Sequence, residues 1–196
     1  MRSLPIVAAS AMLAFLLTGS LALRADTPLQ YGLQVGLALP ASSDLKATVG
    51  SGPNVSLGAH LAWARTEDQT LRARLDMQGF AQGNQAGDSA GLHQEMTTKV
   101  RNASLGLEYL VRQNRWSLGA GLYLIRWTVD SSNTLTAPDG QFAPSGSSTW
   151  IREGLGLIST YRLTKQADIE LHLIASHFGQ ENLPTRMASF NLLWHF

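Results

Sequence analysis

From Leu29 onward, apolar and polar residues alternate with a period of two, the spacing that turns successive side chains to opposite faces of a β-strand. The first run, Leu29 to Leu39, sets Leu29, Tyr31, Leu33, Val35, Leu37 and Leu39 against Gln30, Gly32, Gln34, Gly36 and Ala38. The second sets Val55, Leu57, Ala59, Leu61 and Trp63 against Ser56, Gly58, His60 and Ala62. A third, Leu71 to Phe80, keeps its charge on one side, with Arg72, Arg74, Asp76 and Gln78 opposed to Leu71, Ala73, Leu75 and Met77. The fourth, Thr98 to Leu110, is clearest at its end, where Leu105, Leu107 and Tyr109 oppose Ser104, Gly106 and Glu108. Lys99 and Arg101 fall on its apolar parity, which would place them above a membrane.

Four more runs complete the pattern. Trp116 to Leu124 opposes Ser117, Gly119, Gly121 and Tyr123 to Trp116, Leu118, Ala120, Leu122 and Leu124. Trp150 to Leu163 opposes Gly154, Gly156 and Thr160 to Leu155, Leu157 and Tyr161. Ile169 to Ser176 opposes Glu170, His172 and Ser176 to Ile169, Leu171 and Leu173, and Ala188 to Phe196 opposes Ser189, Asn191 and His195 to Phe190, Leu192 and Trp194. The links at 66–69, 112–115 and 164–167 are short. Those at 40–54, 81–97, 129–149 and 179–186 are longer and rich in Gly, Ser, Asn, Asp and Pro. Helix is a poor reading almost everywhere. The predicted fold is all-β: an eight-stranded antiparallel up-and-down transmembrane β-barrel with short periplasmic turns and longer extracellular loops.

Alternation alone suits a soluble barrel as well, so the placement of aromatic residues decides. In this topology Tyr31, Trp63, Tyr109, Trp116, Tyr161, Trp194 and Phe196 all fall on the apolar face at periplasmic strand ends, forming a girdle suited to a headgroup boundary. The opposite face carries many glycines with Ser, Gln, Arg and Glu, a poor dry core but a workable narrow lumen in which small residues make room for long ones.

Composition narrows the functional classes. Charged residues are 15% of the 196, the net charge is +1, and cysteine is absent. There is no basic footprint for nucleic acid, no disulfide framework and no thiolate chemistry. Residues 1–25 read as a cleaved signal peptide: Arg2, an apolar run from Ile6 to Leu17, and small residues at Ala22 and Ala25, after one of which cleavage is expected. The run is shorter than a spanning helix needs. Residues 26–196 then form one barrel domain.

The last seven residues, Phe190-Asn191-Leu192-Leu193-Trp194-His195-Phe196, resemble the C-terminal signal read by the outer-membrane barrel assembly machinery, and the resemblance implies assembly by that machinery. The architecture is similar to the small eight-stranded outer-membrane barrels of the outer-membrane protein A transmembrane domain and outer-membrane protein X kind. It implies residence in the bacterial outer membrane, among its lipids and lipopolysaccharide, as a monomer.

Arg72, Arg74, Glu108, Glu170, His172 and His195 are predicted to point into the lumen near its periplasmic end. Buried charges must satisfy one another, which favours a structural plug over an ion-responsive gate. No catalytic residue, metal ligand or cofactor site is expected. His172 and His177 have opposite parity, and no pair has helical metalloprotease spacing. The lipid A deacylases resemble one another in a His-x-Ser-Asn motif that His172-Leu173-Ile174-Ala175 and His177-Phe178-Gly179-Gln180 do not match. The palmitoyltransferases need an apolar lumen, and this one is predicted polar. The leading expectation is a non-enzymatic barrel with surface loops for binding or adhesion. A narrow solute pore and a lipid A-modifying enzyme are the alternatives. The longest loop, Val129 to Thr149, carries Trp127, Phe142 and Trp150 within or beside it; a ligand-binding loop is one reading, and an outer girdle formed by the aromatic residues at its base is the expected one.

Overall fold

A computed structural model describes residues 29–64, 66–80, 83–89, 92–177 and 184–196; the signal segment and most of the link at 179–186 lie outside the described residues. The elements are β1 (Leu29–Pro40), α1 (Ser43–Val49), β2 (Asn54–Ala64), β3 (Gln69–Gly79), β4 (Gly83–Ser89), β5 (Leu92–Gln113), β6 (Trp116–Ala137), β7 (Gly140–Phe142), β8 (Ser145–Arg162), β9 (Ala167–His177) and β10 (Pro184–His195).

Eight of these strands close a ring in the order β1-β2-β3-β5-β6-β8-β9-β10, each antiparallel to the next, with β1 pairing β10 from Gly32 opposite His195 to Pro40 opposite Met187. Closure leaves no unpaired strand edge within the ring, the condition for crossing lipid with strands. The period-two pattern becomes two surfaces. On β1, Leu33, Val35 and Leu37 face outward and Gln34 is buried; on β8, Leu155 and Leu157 face outward and Ile158 and Thr160 are buried. Val55, Leu57, Leu75, Met77, Leu105, Leu118, Leu124, Leu171, Leu173, Phe190 and Leu192 continue the belt around the ring. A continuous apolar belt of this extent is unfavourable in water and suits a hydrocarbon surround.

The turns at the periplasmic end are tight. Asn114 takes a positive φ of 60° between β5 and β6, as a two-residue hairpin turn demands and asparagine tolerates. Thr164 closes the β8–β9 link by accepting hydrogen bonds at its hydroxyl from the backbone N–H of Gln166 and Ala167.

The extracellular side differs from the sequence-based expectation in three ways. The segment 129–149 is largely strand: β6 runs on to Ala137 and β8 begins at Ser145, with β7 pairing the tip of β6. The segment 81–97 is also mostly strand, since β4 pairs with the extension of β5. The Ser/Thr-rich stretches there carry backbone ladders without apolar alternation, so period analysis passes over them. Third, the 40–54 segment contains α1, whose Leu45 and Val49, four residues apart, are buried in the barrel mouth.

The belt yields a test. Leu157 is 64% exposed on the outer face of β8, and Leu157→Arg is expected to lower folding stability in lipid vesicles by about 2–4 kcal/mol. Ser148→Arg, exposed on the extension of the same strand, should cost less than about 0.5 kcal/mol. Urea unfolding curves for the two variants check this; equal costs would contradict a lipid-facing belt.

Candidate functional site

The inward parity of three strands brings an ionic network together in the periplasmic half of the lumen. Arg72, Arg74 and Asp76 come from β3, Glu108 from β5 and Glu170 from β9, all essentially out of contact with solvent. Arg72 donates through Nε to Glu108 on the adjacent strand and through Nη2 to Glu170. Arg74 donates through Nε to Asp76 Oδ2 at 2.5 Å and through Nη1 to Glu170, and lies 3.6 Å from Glu108. β3 and β9 are four places apart in an eight-strand ring, so the Arg–Glu170 pairs span the full width of the barrel.

The remaining lone pairs are satisfied locally. The Tyr123 hydroxyl donates to Glu108 Oε1 at 2.5 Å, Thr160 donates to Glu170 at 3.5 Å, and Gln34 donates to Asp76. Each contact strengthens an ion pair that would otherwise be poorly repaid for its desolvation. Glycines make the space. A Cβ on Gly121 would lie 2.8 Å from the Tyr123 hydroxyl and 2.9 Å from Glu108 Cγ, and one on Gly156 would lie 2.9 Å from His172 Nε2.

Of the six side chains predicted to cluster, Arg72, Arg74, Glu108 and Glu170 meet, and the two histidines stand apart from them. His172 is buried with its ring 5.1 Å from that of Tyr123, and neither of its nitrogens has a hydrogen-bond partner among the described residues. Nor does the Ser176 hydroxyl, so these two form no relay. His195 joins a second group at the mouth: its Nδ1 lies 3.1 Å from His60 Nε2 and its Nε2 3.0 Å from Asp168 Oδ2. Gly32 pairs with both His60 and His195, and its missing side chain lets the two imidazoles meet. Asp76, Tyr123, Gln34, His60 and Asp168 were absent from the predicted cluster. Strand parity places them inward; the register that brings them together across strands is not visible in one sequence.

The girdle residues take outward positions at the periplasmic rim. Tyr31 stacks on Phe196 at 5.8 Å between ring centres, and Trp116 lies 4.9 Å from Tyr161. Tyr31, Trp116, Trp194 and Phe196 are exposed, while Trp63, Tyr109 and Tyr161 are half-buried among their neighbours.

The outer half of the lumen corrects the expectation of a polar interior. Ala38, Leu45, Val49, Phe80, Val100, Tyr123, Ile125, Trp127, Ile174 and Met187 form one buried apolar cluster, with Val129 and Trp150 packed against it. Trp127 is fully buried and stacks on Phe80 at 6.1 Å, so it belongs to this cluster and not to an outer girdle; Trp150, its cross-strand partner, joins it. The reason is parity continued: beyond Leu124, where the alternation read from sequence ended, inward positions of β6 carry Ile125, Trp127 and Val129. Phe142, on β7, is exposed. The ionic network thus occupies the periplasmic half, while in the outer half the apolar cluster shares the lumen with buried Ser56, Gln78, Asn102 and Thr185, Asn102 donating to Gln78 Oε1 at 3.2 Å and to Met187 Sδ at 3.2 Å.

On the extracellular extension, His93 of β5 is exposed, with Nδ1 2.6 Å from Asp88 of β4 and Nε2 3.3 Å from Glu95. The hydrogen bond to Asp88, then that to Glu95, raises the imidazole above its ordinary value. A raised folded-state value means that the contribution to pinning β4 on β5 is fully present below the ordinary imidazole range and is lost as pH rises through the raised value. An NMR titration of the His93 ring is expected to show a midpoint above about 6.5, falling in Asp88→Asn. A midpoint unchanged by that substitution would contradict the assigned contact.

No protein-family model and no curated protein matches the sequence. Among solved structures, a major outer membrane protein from Thermus thermophilus superposes with a TM-score of 0.59 at 11% identity, covering 86% of this chain and all of that one. Neisserial surface protein A gives 0.48 at 16% identity over 86% of this chain and 97% of its own, and the attachment invasion locus protein of Yersinia pestis gives 0.44 at 9% over 87% and 97%. With the closed ring, the apolar belt and the polar lumen floor already described, the chain carries the fold of the small eight-stranded β-barrels of the bacterial outer membrane.

Proposed function

We propose that this is a non-enzymatic outer-membrane barrel whose lumen is closed to solutes and whose extracellular strand extensions are its working surface for binding or adhesion. The observation that carries the reading is the pair of arginines on β3 reaching Glu170 on the opposite side of the ring. Charged side chains joined across the narrow dimension fill the passage at that level. Above them the side chains clustered around Trp127 and Leu45, with Gln78 and Asn102 hydrogen-bonded to each other among them, pack the outer half of the lumen. Two barriers of different chemistry in series favour closure over conduction.

The extension supplies the surface. β4, the outer parts of β5, β6 and β8, and β7 form a sheet that continues the barrel wall, rich in Ser, Thr and Asn and presenting hydroxyls and amides to solvent. It stands on a rigid base, which suits recognition of an extended partner better than a set of independent loops would. A narrow pore is the second reading from the sequence, and the lumenal glycines first suggested it; Tyr123 and Glu108 now occupy the space beside Gly121.

Planar-bilayer recordings on the refolded protein test the proposal. The parent is expected to be silent, Arg72→Ala with Arg74→Ala and Glu170→Ala to stay silent because the layer around Trp127 remains, and the same variant with Trp127→Ala and Leu45→Ala added to open measurable single-channel conductance. Steady conductance in the parent would overturn the closed-lumen reading and make the protein a pore.

A further inference from the structure

We propose that the outward face of β5 and β6, immediately above the apolar belt, binds the phosphate groups of an outer-leaflet glycolipid through Lys99, Arg101 and Arg126. All three side chains point away from the lumen, because Val100, Asn102, Ile125 and Trp127 on either side of them are buried. Their height follows from the strand geometry. Arg126 lies ten residues beyond Trp116 on β6, and Arg101 ten before Val111 on β5. At about 3.3 Å per residue and a tilt of about 40°, ten residues rise about 25 Å, the height of the apolar band of an outer-membrane barrel. The cations therefore stand where hydrocarbon gives way to headgroups, with Leu105 and Leu124 exposed directly below them.

Register sets their spacing. Lys99 faces Asp130, Arg101 faces Thr128 and Arg126 faces Ala103, which makes Arg101 and Arg126 diagonal neighbours at roughly 7–8 Å. Asp130 takes up part of the charge, accepting from Arg101 at 2.5 Å and from Ser147 at 2.7 Å. Glu153, two residues along β8 from the partner of Arg126, makes no ion pair with it. Lys99 feels the charge of Asp130 opposite it without a direct ion-pair contact, and Arg126 makes no ion-pair contact among the described residues. Beside Lys99, a shallow hollow is lined by Thr97, Ser132, Ser145 and Ser147, hydroxyls suited to a sugar ring.

Two features select a lipid. At the same height the neighbouring strands β3, β2 and β1 present Met77, Val55 and Leu39, with Arg186 isolated on β10, so this is a local patch and not a uniform collar of snorkelling side chains. And the patch is continuous with the leucine belt, so an occupant that lays acyl chains on Leu105 and Leu124 brings its phosphates level with the cations. The inference does not depend on whether the lumen conducts.

The test uses the refolded protein in detergent micelles with three probes: bisphosphorylated lipid A, the same lipid stripped of its phosphates, and inorganic phosphate. Bisphosphorylated lipid A is expected to bind and to raise the thermal unfolding midpoint. Lys99→Ala and Arg126→Ala should each weaken binding roughly fivefold, whereas Lys165→Ala, in the periplasmic turn, should leave it unchanged. The lipid-free midpoints of the variants should match the parent, which separates lost binding from lost folding. Equal binding of the dephosphorylated lipid, or unchanged affinity in Lys99→Ala combined with Arg126→Ala, would overturn the proposal; an equal response to inorganic phosphate would make this a free-anion site and reject the lipid.

Discussion

Arg72 and Arg74 leave one wall of the barrel and meet Glu170 on the opposite wall, and much of the interior is arranged around that crossing. A membrane surround forces apolar residues outward on every strand, which sends the polar half of each alternating run into a narrow tube where bulk water cannot solvate it. Charges placed there must find partners. Glu108 and Asp76 complete the pairing, Tyr123, Gln34 and Thr160 supply hydrogen bonds, and Gly121 and Gly156 remove bulk where these side chains have to pass. Substituting any one member strands the others in a low-dielectric interior, so the network behaves as a unit.

Above this floor the chemistry changes. The inward positions of β6 pass from Tyr123 to Ile125, Trp127 and Val129, and α1 folds Leu45 and Val49 over them. Tyr123 belongs to both regions, its ring in the apolar cluster and its hydroxyl on Glu108. The interior is therefore stratified: an ionic layer on the periplasmic side, a layer toward the outside in which the Trp127 cluster packs with the uncharged Gln78 and Asn102, and then an extracellular sheet whose side chains are mainly small and polar. On the outer surface the layers are an aromatic rim, a leucine-rich belt and a local cationic patch. Each boundary falls where the solvent outside the barrel, or access to the lumen within it, changes.

The membrane-spanning part of this order was legible in the sequence, because lipid on one side and lumen on the other impose strict alternation. Leu33, Val35 and Leu37 against Gln34 and Gly36 reveal both faces with no further information. Parity also showed that Arg72, Arg74, Glu108 and Glu170 share the inner surface. It could not show that His195 turns aside to His60 and Asp168 over Gly32, because that depends on the stagger between β1, β2, β9 and β10. Above the membrane the constraint disappears. Ser131, Ser132 and Thr134 lie in a strand held chiefly by its backbone ladder, and nothing in their hydrophobicity distinguishes them from a loop. The Leu45–Val49 pair was the one helical signal in its segment, too brief to stand out beside the turn-forming residues around it.

A double-mutant cycle across the lumen tests the ionic crossing most directly. With Arg74→Met, Glu170→Leu and the combined variant unfolded by urea in lipid vesicles, each single change is expected to cost about 3–5 kcal/mol, and the pair to cost less than their sum by at least about 2 kcal/mol, since each single change strands the other partner of the Arg74–Glu170 contact and the double change strands neither, the loss of Asp76's arginine being common to Arg74→Met and the double variant. Costs that simply add, to within about 0.5 kcal/mol, would mean that the two side chains do not depend on each other and would contradict the crossing as the constraint on which the interior is built.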